Sequence, residues 1–364
     1  MVRWREGTVT AVKRRWAGAV ELEVALTRRD PSDPPSVRAV AYPALVGDPQ
    51  AGDRVLLNTN ALAMGLGTGG YALVVALPDR LPPDPPRAPG HVVKARYTPL
   101  QAIVLAADEE DSPHRAALAG ATELDGLPVV TADLHSALPA ILAGVRADTP
   151  TARVAYVMTD GGALPAWFSR TLDALRGDLC GVVTVGQAFG GDLEATNIHS
   201  GLLAARHALR ADVAIVSQGP GNLGTGTAWG FSGTAVGEAV NAVATLGGRP
   251  VGSLRVSDAD PRERHRGVSH HSLTAYHRVA LAPADLVVPA GLAPDLAAAV
   301  TAALAPLTPP HRVVTVPADG LDAALRALPV KLSTMGRGLD ADHAYFVTCA
   351  AAGRHAAALA EQRS

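Results

Sequence analysis

The segment "RVSDADPRERHRGVSHHSLTAYH", Arg255 to His277, gathers more groups able to do chemistry than any other part of the chain. Asp258, Asp260, Arg262, Glu263, Arg264, His265, Arg266, His270, His271 and His277 all fall within it. Histidine titrates near neutral pH, so His265, His270 or His271 can serve as general acid or base. Arginines 262, 264 and 266 offer paired N–H groups to phosphate or carboxylate. Neutral imidazoles with carboxylates can instead hold a divalent metal. The spacing matches neither HExxH nor another named metal pattern, so metal ranks second and no particular cofactor is assigned. Adjacent helical residues point in different directions, so at most one of His270 and His271 is expected to face a pocket. His270 is the choice, because Ser269 can cap the helix start. The competing reading is a solvated charged loop before an ordinary helix.

A second stretch, "SQGPGNLGTGTAWGFSG", runs from Ser217 to Gly233 with six glycines and no charge. It follows the apolar strand pattern "DVAIV". Such a loop can present successive N–H groups to an anion, with Gly219, Gly221, Asn222, Gly224, Thr225 and Gly226 as the contacts. "GPGNLG" formally fits the dinucleotide pattern GxGxxG. Yet the helix does not begin at once, and the acidic residue, Asp258, lies nearly forty positions on where about twenty is usual. No lysine follows as in a phosphate-binding GKS/T loop. The bland alternative is that the glycines let the loop pack beneath a neighbour.

A third stretch, "GQAFGGDLEATNIHSGLLAARH", adds Gln187 and Asn197 as candidate ligand contacts, with Asp192 or Thr196 as candidate helix caps. "TDGGALPAWF" adds Asp160, which, like Asp258, can orient a histidine or hold a metal; Asp160-Gly161 also reads as a plain turn.

These pieces need a scaffold. From His91, short apolar runs alternate with alanine-rich helical segments. The runs are "QAIVLAAD", "LPVVTAD", "RVAYVMTD", "CGVVTVGQ", "DVAIVSQG", "PVGSLRVSD", "DLVVPAG" and "RVVTVP". Runs buried on both faces and joined by helices predict an α/β fold, a mostly parallel, doubly wound (Rossmann-like) sheet. The ending "GRGLDADHAYFVTCAAAGRHAAALAEQ" is expected to add a strand and a helix. Ligands bind beyond the carboxyl ends of such strands. The polar stretches Asp108–Asp111, Asp133 with His135, Asp160–Gly162, Gly186-Gln187, Ser217–Gly219 and Ser257-Asp258 all fall at expected strand ends. Because consecutive strands are usually neighbours, the glycine-rich and histidine-rich loops are expected to meet.

Residues 1–80 show alternation and turns without helical period, which predicts a small β-barrel or sandwich. "AGDRVLLNT" is similar to phrases in SH3- and OB-type barrels, and the glycines of "MGLGTGGY" form a loop into the last strand. "RLPPDPPRAPG" supplies a stiff linker at 81–90, and residues 91–364 form the α/β ligand-binding domain.

The 364-residue chain is 48% hydrophobic and 18% charged, a globular composition long enough for two domains. Its abundant alanine, glycine, valine and arginine fit a GC-rich coding sequence. A net charge of −2 gives no case for nucleic acid or an anionic membrane. The two cysteines, Cys180 and Cys349, fall in apolar runs expected to be buried strands, with no CxxC. No apolar leader and no run of membrane-spanning length is seen, so a cytoplasmic location is expected; a homo-oligomer is left open.

"VSQGPGNLGTGTAWGFSG", "DPRERHRGVSHHSL" and "ATNIHSGLLAARHAL" resemble signature segments of a bacterial family, domain of unknown function 3866. The resemblance spans the whole chain and implies a grouping without a reaction.

Three functions compete. The first is an enzyme acting on a small phosphorylated or otherwise anionic molecule through the glycine-rich loop and the His/Arg cluster. The second is a metal-dependent hydrolase using Asp258, Asp260, His265, His270 and His271. The third is a non-catalytic regulator that binds a nucleotide and signals through its N-terminal barrel. No GxSxG elbow is present, which disfavours a serine hydrolase of that type.

Overall fold

The alternating N-terminal stretches form strands because every second side chain is apolar and turns inward. In the computed structural model, which describes residues 2–28 and 30–363, β1 (Trp4–Trp16) and β2 (Ala19–Arg28) make a hairpin. Its turn is at Ala17-Gly18, with Gly18 in the left-handed region at φ +78°. β3 (Ser36–Ala41), α1 (Pro43–Val46), β4 (Arg54–Asn58), α2 (Asn60–Ala63) and β5 (Ala72–Ala76) follow. The strands close in the order β1-β2-β3-β5-β4, with β4 returning to β1, so the expected barrel is present and closed. Val9, Leu22, Val24, Val37, Ala39, Val55, Leu57 and Val74 fill it. α1 and α2 are single turns, too short to leave a helical period in the sequence.

By compactness the chain forms two units. One runs to Val104 and includes Trp167–Asp173; the other holds Leu105–Ala166 and 174–363. The proline-rich segment 81–90 lies within the range of the first, in irregular exposed backbone. Among the described residues, β6 (Val92–Lys94) and β7 (Ala102–Val104) pair only with each other. The run expected at "QAIVLAAD" is thus divided: Ala102–Val104 makes this small pair, while Ala106 bridges in parallel to Glu194 at the edge of the main sheet, with the Ala107 amide donating to the Glu194 carbonyl at 2.8 Å.

The second unit contains α3 (Arg115–Leu118), β8 (Pro128–Thr131), α4 (Leu138–Asp148), β9 (Val154–Thr159), the end of α5 (Arg170–Leu175), β10 (Gly181–Thr184), β11 (Leu193–Glu194), α6 (Ile198–Leu203), β12 (Val213–Gln218) and α7 (Ala235–Thr245). After these come β13 (Arg249–Ser253), β14 (Val256–Ser257), β15 (Gly267–Val268), α8 (His270–Thr274), β16 (Asp285–Pro289), α9 (Pro294–Leu304), β17 (Arg312–Val316), α10 (Leu321–Arg326) and α11 (His343–Arg363). Eight strands make one parallel sheet in the order β11-β10-β9-β12-β8-β13-β16-β17, as the apolar runs predict. The ending differs from expectation: "YFVTCA" belongs to the 21-residue α11, and among the described residues no strand lies between β17 and that helix. Cys349 is buried in that helix, and Cys180 stands half-buried just before β10.

Helices cover both faces. α6 and α7 bury Leu202, Ala239 and Val243 against Val129, Val157 and Val216. α4 and α11 pack together on the opposite face, over β8, β12 and β13. Their backbones touch through glycine: a Cβ on Gly144 would lie 1.8 Å from the Ala350 carbonyl oxygen, and one on Gly353 1.9 Å from that of Ile141. β8 thus leads to a helix on one face, while its neighbour β12 leads to α7 on the other. That divergence opens a crevice at the carboxyl ends of the two strands, where open parallel sheets bind ligands. Among the described residues, no helix is long and apolar enough to cross a membrane.

Candidate functional site

β12 and β13 are not adjacent, contrary to the expectation from chain order; β8 lies between them. The glycine-rich and histidine-rich segments nevertheless meet, with the end of β8 between them. Crossing over β8 leaves its carboxyl end, Asp133, at their junction.

The histidine segment is shaped by a buried ion-pair network. β14 and β15 pair antiparallel, and the chain loops out between them. Ser257 Oγ accepts the amides of Ala259 and Asp260 and donates to Asp342. Asp260 is fully buried and takes Arg255 at 3.2 Å, Arg262 at 2.9 Å and Arg337 at 3.0 Å. Burial alone would raise its pKa, but the hydrogen bonds and charges of Arg262, with the charge of Arg337, hold it below the usual carboxylate range. Asp260 and Arg262 are thereby committed to holding the loop. The one-turn helix Glu263–His265 then turns His265 inward, leaving it 1% exposed. Ser269 caps α8, accepting the His271 amide, and His270 and His271 open that helix.

All three histidines converge. Ligand nitrogens of His265, His270 and His271 lie within 4.8 Å of one another. Ring centroids are 4.9 Å apart for His265–His270 and His265–His271, and 4.3 Å for His270–His271. Both neighbours thus face the cluster, where only one was expected. Side chains at a helix's first turn have no preceding turn to separate them, and His265 stands where both can reach.

Three polar atoms here are buried without a hydrogen-bond partner: His270 Nε2, His271 Nδ1 and Asp133 Oδ2. Asp133 Oδ2 stands 3.9 Å from His271 Nδ1. Burial raises the Asp133 pKa, against the charge of Arg255. The pKa values of His265 and His271 fall to about 3, first through burial. For His265 the charges of Arg255 and Arg262 add to the effect, and for His271 its two histidine neighbours do. His270 is lowered too, by burial and then by Arg264, Arg255 and Arg262. At neutral pH the rings carry free lone pairs, the state a metal ion needs. Arg255, 2% exposed, is the buried cation behind this arrangement.

The glycine-rich segment is a hairpin tongue. Gly224 bridges Phe231, the Thr225 amide donates to Gly230 at 2.7 Å, and the Leu223 amide donates to Ser232 Oγ at 3.2 Å. Gly219 donates to the Thr159 carbonyl at 3.2 Å, and a Cβ there would lie 2.3 Å from Ala163 O. The Gly219 amide is therefore taken by the end of β9, and those of Leu223 and Thr225 by closure of the hairpin, so all three serve the fold. An open amide cradle running through them is not what forms. Gly221 and Gly226 hold φ of +94° and +80° with open space around them. Asn222 Oδ1 accepts from Gln218 and Ser232. At the tongue's base Phe231 stacks on His271, and nearer its tip Arg278 lies over Trp229 at 5.9 Å.

The remaining candidates are dispersed. Asp258, Arg264 and Arg266 are exposed on the loop. Asp160 accepts the Gln187 amide at 2.8 Å, as a turn-holding residue would. Asn197 caps α6 in a capping box with Ser200, taking the role expected of Asp192 or Thr196. Gln187 and Asn197 follow β10 and β11, and β9, β12 and β8 separate β10 from β13.

Residues 38–353 match the family described as protein of unknown function DUF3866. The chain belongs to this family. The span matched by DUF3866 takes in the histidine cluster, Asp133 and the tongue. No curated protein and no solved structure matches the chain.

Proposed function

We propose that this DUF3866 chain is a metal-dependent hydrolase of a small anionic substrate, with His265, His270 and His271 as the metal ligands. One observation carries the reading: three mostly buried imidazoles converge within 4.8 Å, and two of their nitrogens have no other partner. Leaving buried polar atoms unpaired costs about 1–3 kcal/mol each, so a fold that keeps several together implies an absent partner. Three imidazoles suit a zinc-class ion, which in an open site lowers the pKa of bound water and polarises a carbonyl or phosphoryl oxygen.

The chain's own groups then divide the work. Asp133 Oδ2, beside His271, would accept a proton from the attacking water once a bound cation offsets the burial that raises its pKa. Burial, aided by the charge of Arg255, keeps the imidazoles neutral and ready to coordinate. Arg264, whose charge acts on His270, and Arg266 draw a negatively charged substrate to the exposed rim. Metal thus ranks above the metal-free acid–base reading, and Asp260 is outside the ligand set because its oxygens are occupied by Arg255, Arg262 and Arg337.

Metal analysis of the purified protein after incubation with zinc or cobalt tests the proposal. One ion per chain is expected, lost in His270→Ala and His271→Ala. A wild-type protein that takes up no ion, yet is stabilised by phosphate, would return the histidines to acid–base duty.

A further inference from the structure

We infer that Ser269 is the positioning residue of the histidine cluster, fixing which nitrogen His265 offers to an ion. The inference rests on the metal-centre reading above. Ser269 is fully buried. Its Oγ lies 2.8 Å from His265 Nδ1 and accepts the His271 amide at 3.2 Å. With Nδ1 engaged, His265 has only Nε2 left for a ligand. When Nε2 carries an ion, the ring's proton sits on Nδ1, and Ser269 Oγ is its acceptor. The hydroxyl has two lone pairs, enough for both N–H groups.

The same hydroxyl caps the helix that begins with His270 and His271. One atom thus sets the ring orientation of His265 and the backbone that carries the other two histidines. The unpartnered nitrogens complete the set: His270 through Nε2 and His271 through Nδ1. The resulting coordination is mixed, two rings through Nε2 and one through Nδ1. This gives the segment "HRGVSHH" a physical reading, in which the serine is as much part of the centre as the histidines.

The test uses the full chain with zinc or cobalt. Long-range 1H–15N spectra of the zinc-loaded protein should show His265 and His270 protonated at Nδ1 and His271 at Nε2. Ser269→Ala and Ser269→Gly should each weaken cobalt binding by roughly 10–100-fold, and Ser269→Thr, which keeps the hydroxyl, should restore it. The glycine variant separates the two roles, since glycine still serves at a helix N-cap. Zinc bound with His265 coordinating through Nδ1, or equal affinity in the wild type and all three variants, overturns this inference and leaves the metal reading standing. No zinc uptake by the wild type overturns the metal reading and this inference with it.

Discussion

The ring of Phe231 lies flat on the imidazole of His271, with centroids 3.8 Å apart and planes 2° apart. This stack ties the base of the glycine-rich tongue to one of the three clustered histidines. Stacked rings contribute about 0.5–1.5 kcal/mol beyond the area they bury. Phe231→Leu, which keeps bulk and removes the stack, should lower the melting temperature slightly and weaken zinc binding several-fold. An unchanged zinc affinity would mean that the tongue does not steady His271.

Stability should fall as the solution is acidified from pH 7 to 5. His265 and His271 have folded pKa values near 3, and His135, lowered chiefly by burial, near 4. Unfolded, each takes up a proton around pH 6.5. Between these limits the unfolded chain binds more protons, so stability is full above about 6.5 and is lost on going down. Each group contributes at most about 1.4 kcal/mol per pH unit. Thermal melts at several pH values check this, and the slope should be shallower in His271→Asn. A melting temperature flat over this range would contradict the neutral, buried state of these rings.

Asp260→Asn should be among the most damaging single changes in the loop. It leaves Arg255, Arg262 and Arg337 around a site that has lost its negative charge. Breaking a buried ion pair costs about 3–5 kcal/mol, which corresponds to a melting temperature lower by on the order of 10 °C. Were Asp260 a metal ligand instead, added zinc would stabilise the wild type and not the variant, even where the variant's own melting temperature changed little.

Two glycines near the tongue should respond differently. A Cβ on Gly162 would lie 2.3 Å from Gly219 O, so Gly162→Ala forces backbone apart and should cost about 1–3 kcal/mol. Gly221 has open space and only its left-handed φ to resist substitution, so Gly221→Ala should cost about 1 kcal/mol. Melting curves of the two variants decide the order. The reverse order would mean that the tongue's entry, not its packing against residues 161–163, sets local stability.

Residues 81–89 are irregular and exposed, and we propose that the segment 81–90 separates an N-terminal barrel from a ligand-binding domain at 91–364. Limited proteolysis should cut there first and leave a soluble fragment from residue 91 onward. Aggregation of that fragment would show that it needs the preceding residues.

Much of this architecture is legible in the sequence because it is written in local periodicity. Alternation in "AVELEVAL" and unbroken apolar runs such as "DVAIVS" declare a half-buried strand and a fully buried one. Strand order is not local, and so β8 between β12 and β13 could not be read. α11 misleads for a related reason: it is buried along most of its length, so its apolar residues show no single face and "AYFVTCA" imitates a strand. The three histidines stand out because they are close in the chain. Asp133 reads only as a polar strand end, because the sheet alone brings it to His271. The glycine loop carries a true signal of unusual backbone, but glycine count alone does not say whether amides face a ligand or each other.

The position of α11 has a consequence in time. It covers β8, the strand that ends beside the histidine cluster, yet residues 343–363 are made long after residues 128–131. At ordinary rates of synthesis the interval is roughly 10–40 s. Throughout it, one face of the sheet's central strand lacks its cover while α4 waits for the helix whose glycine it meets. The sheet end beside the histidine cluster is therefore completed late in synthesis, and the half-made domain presents an apolar surface on which chaperones can act.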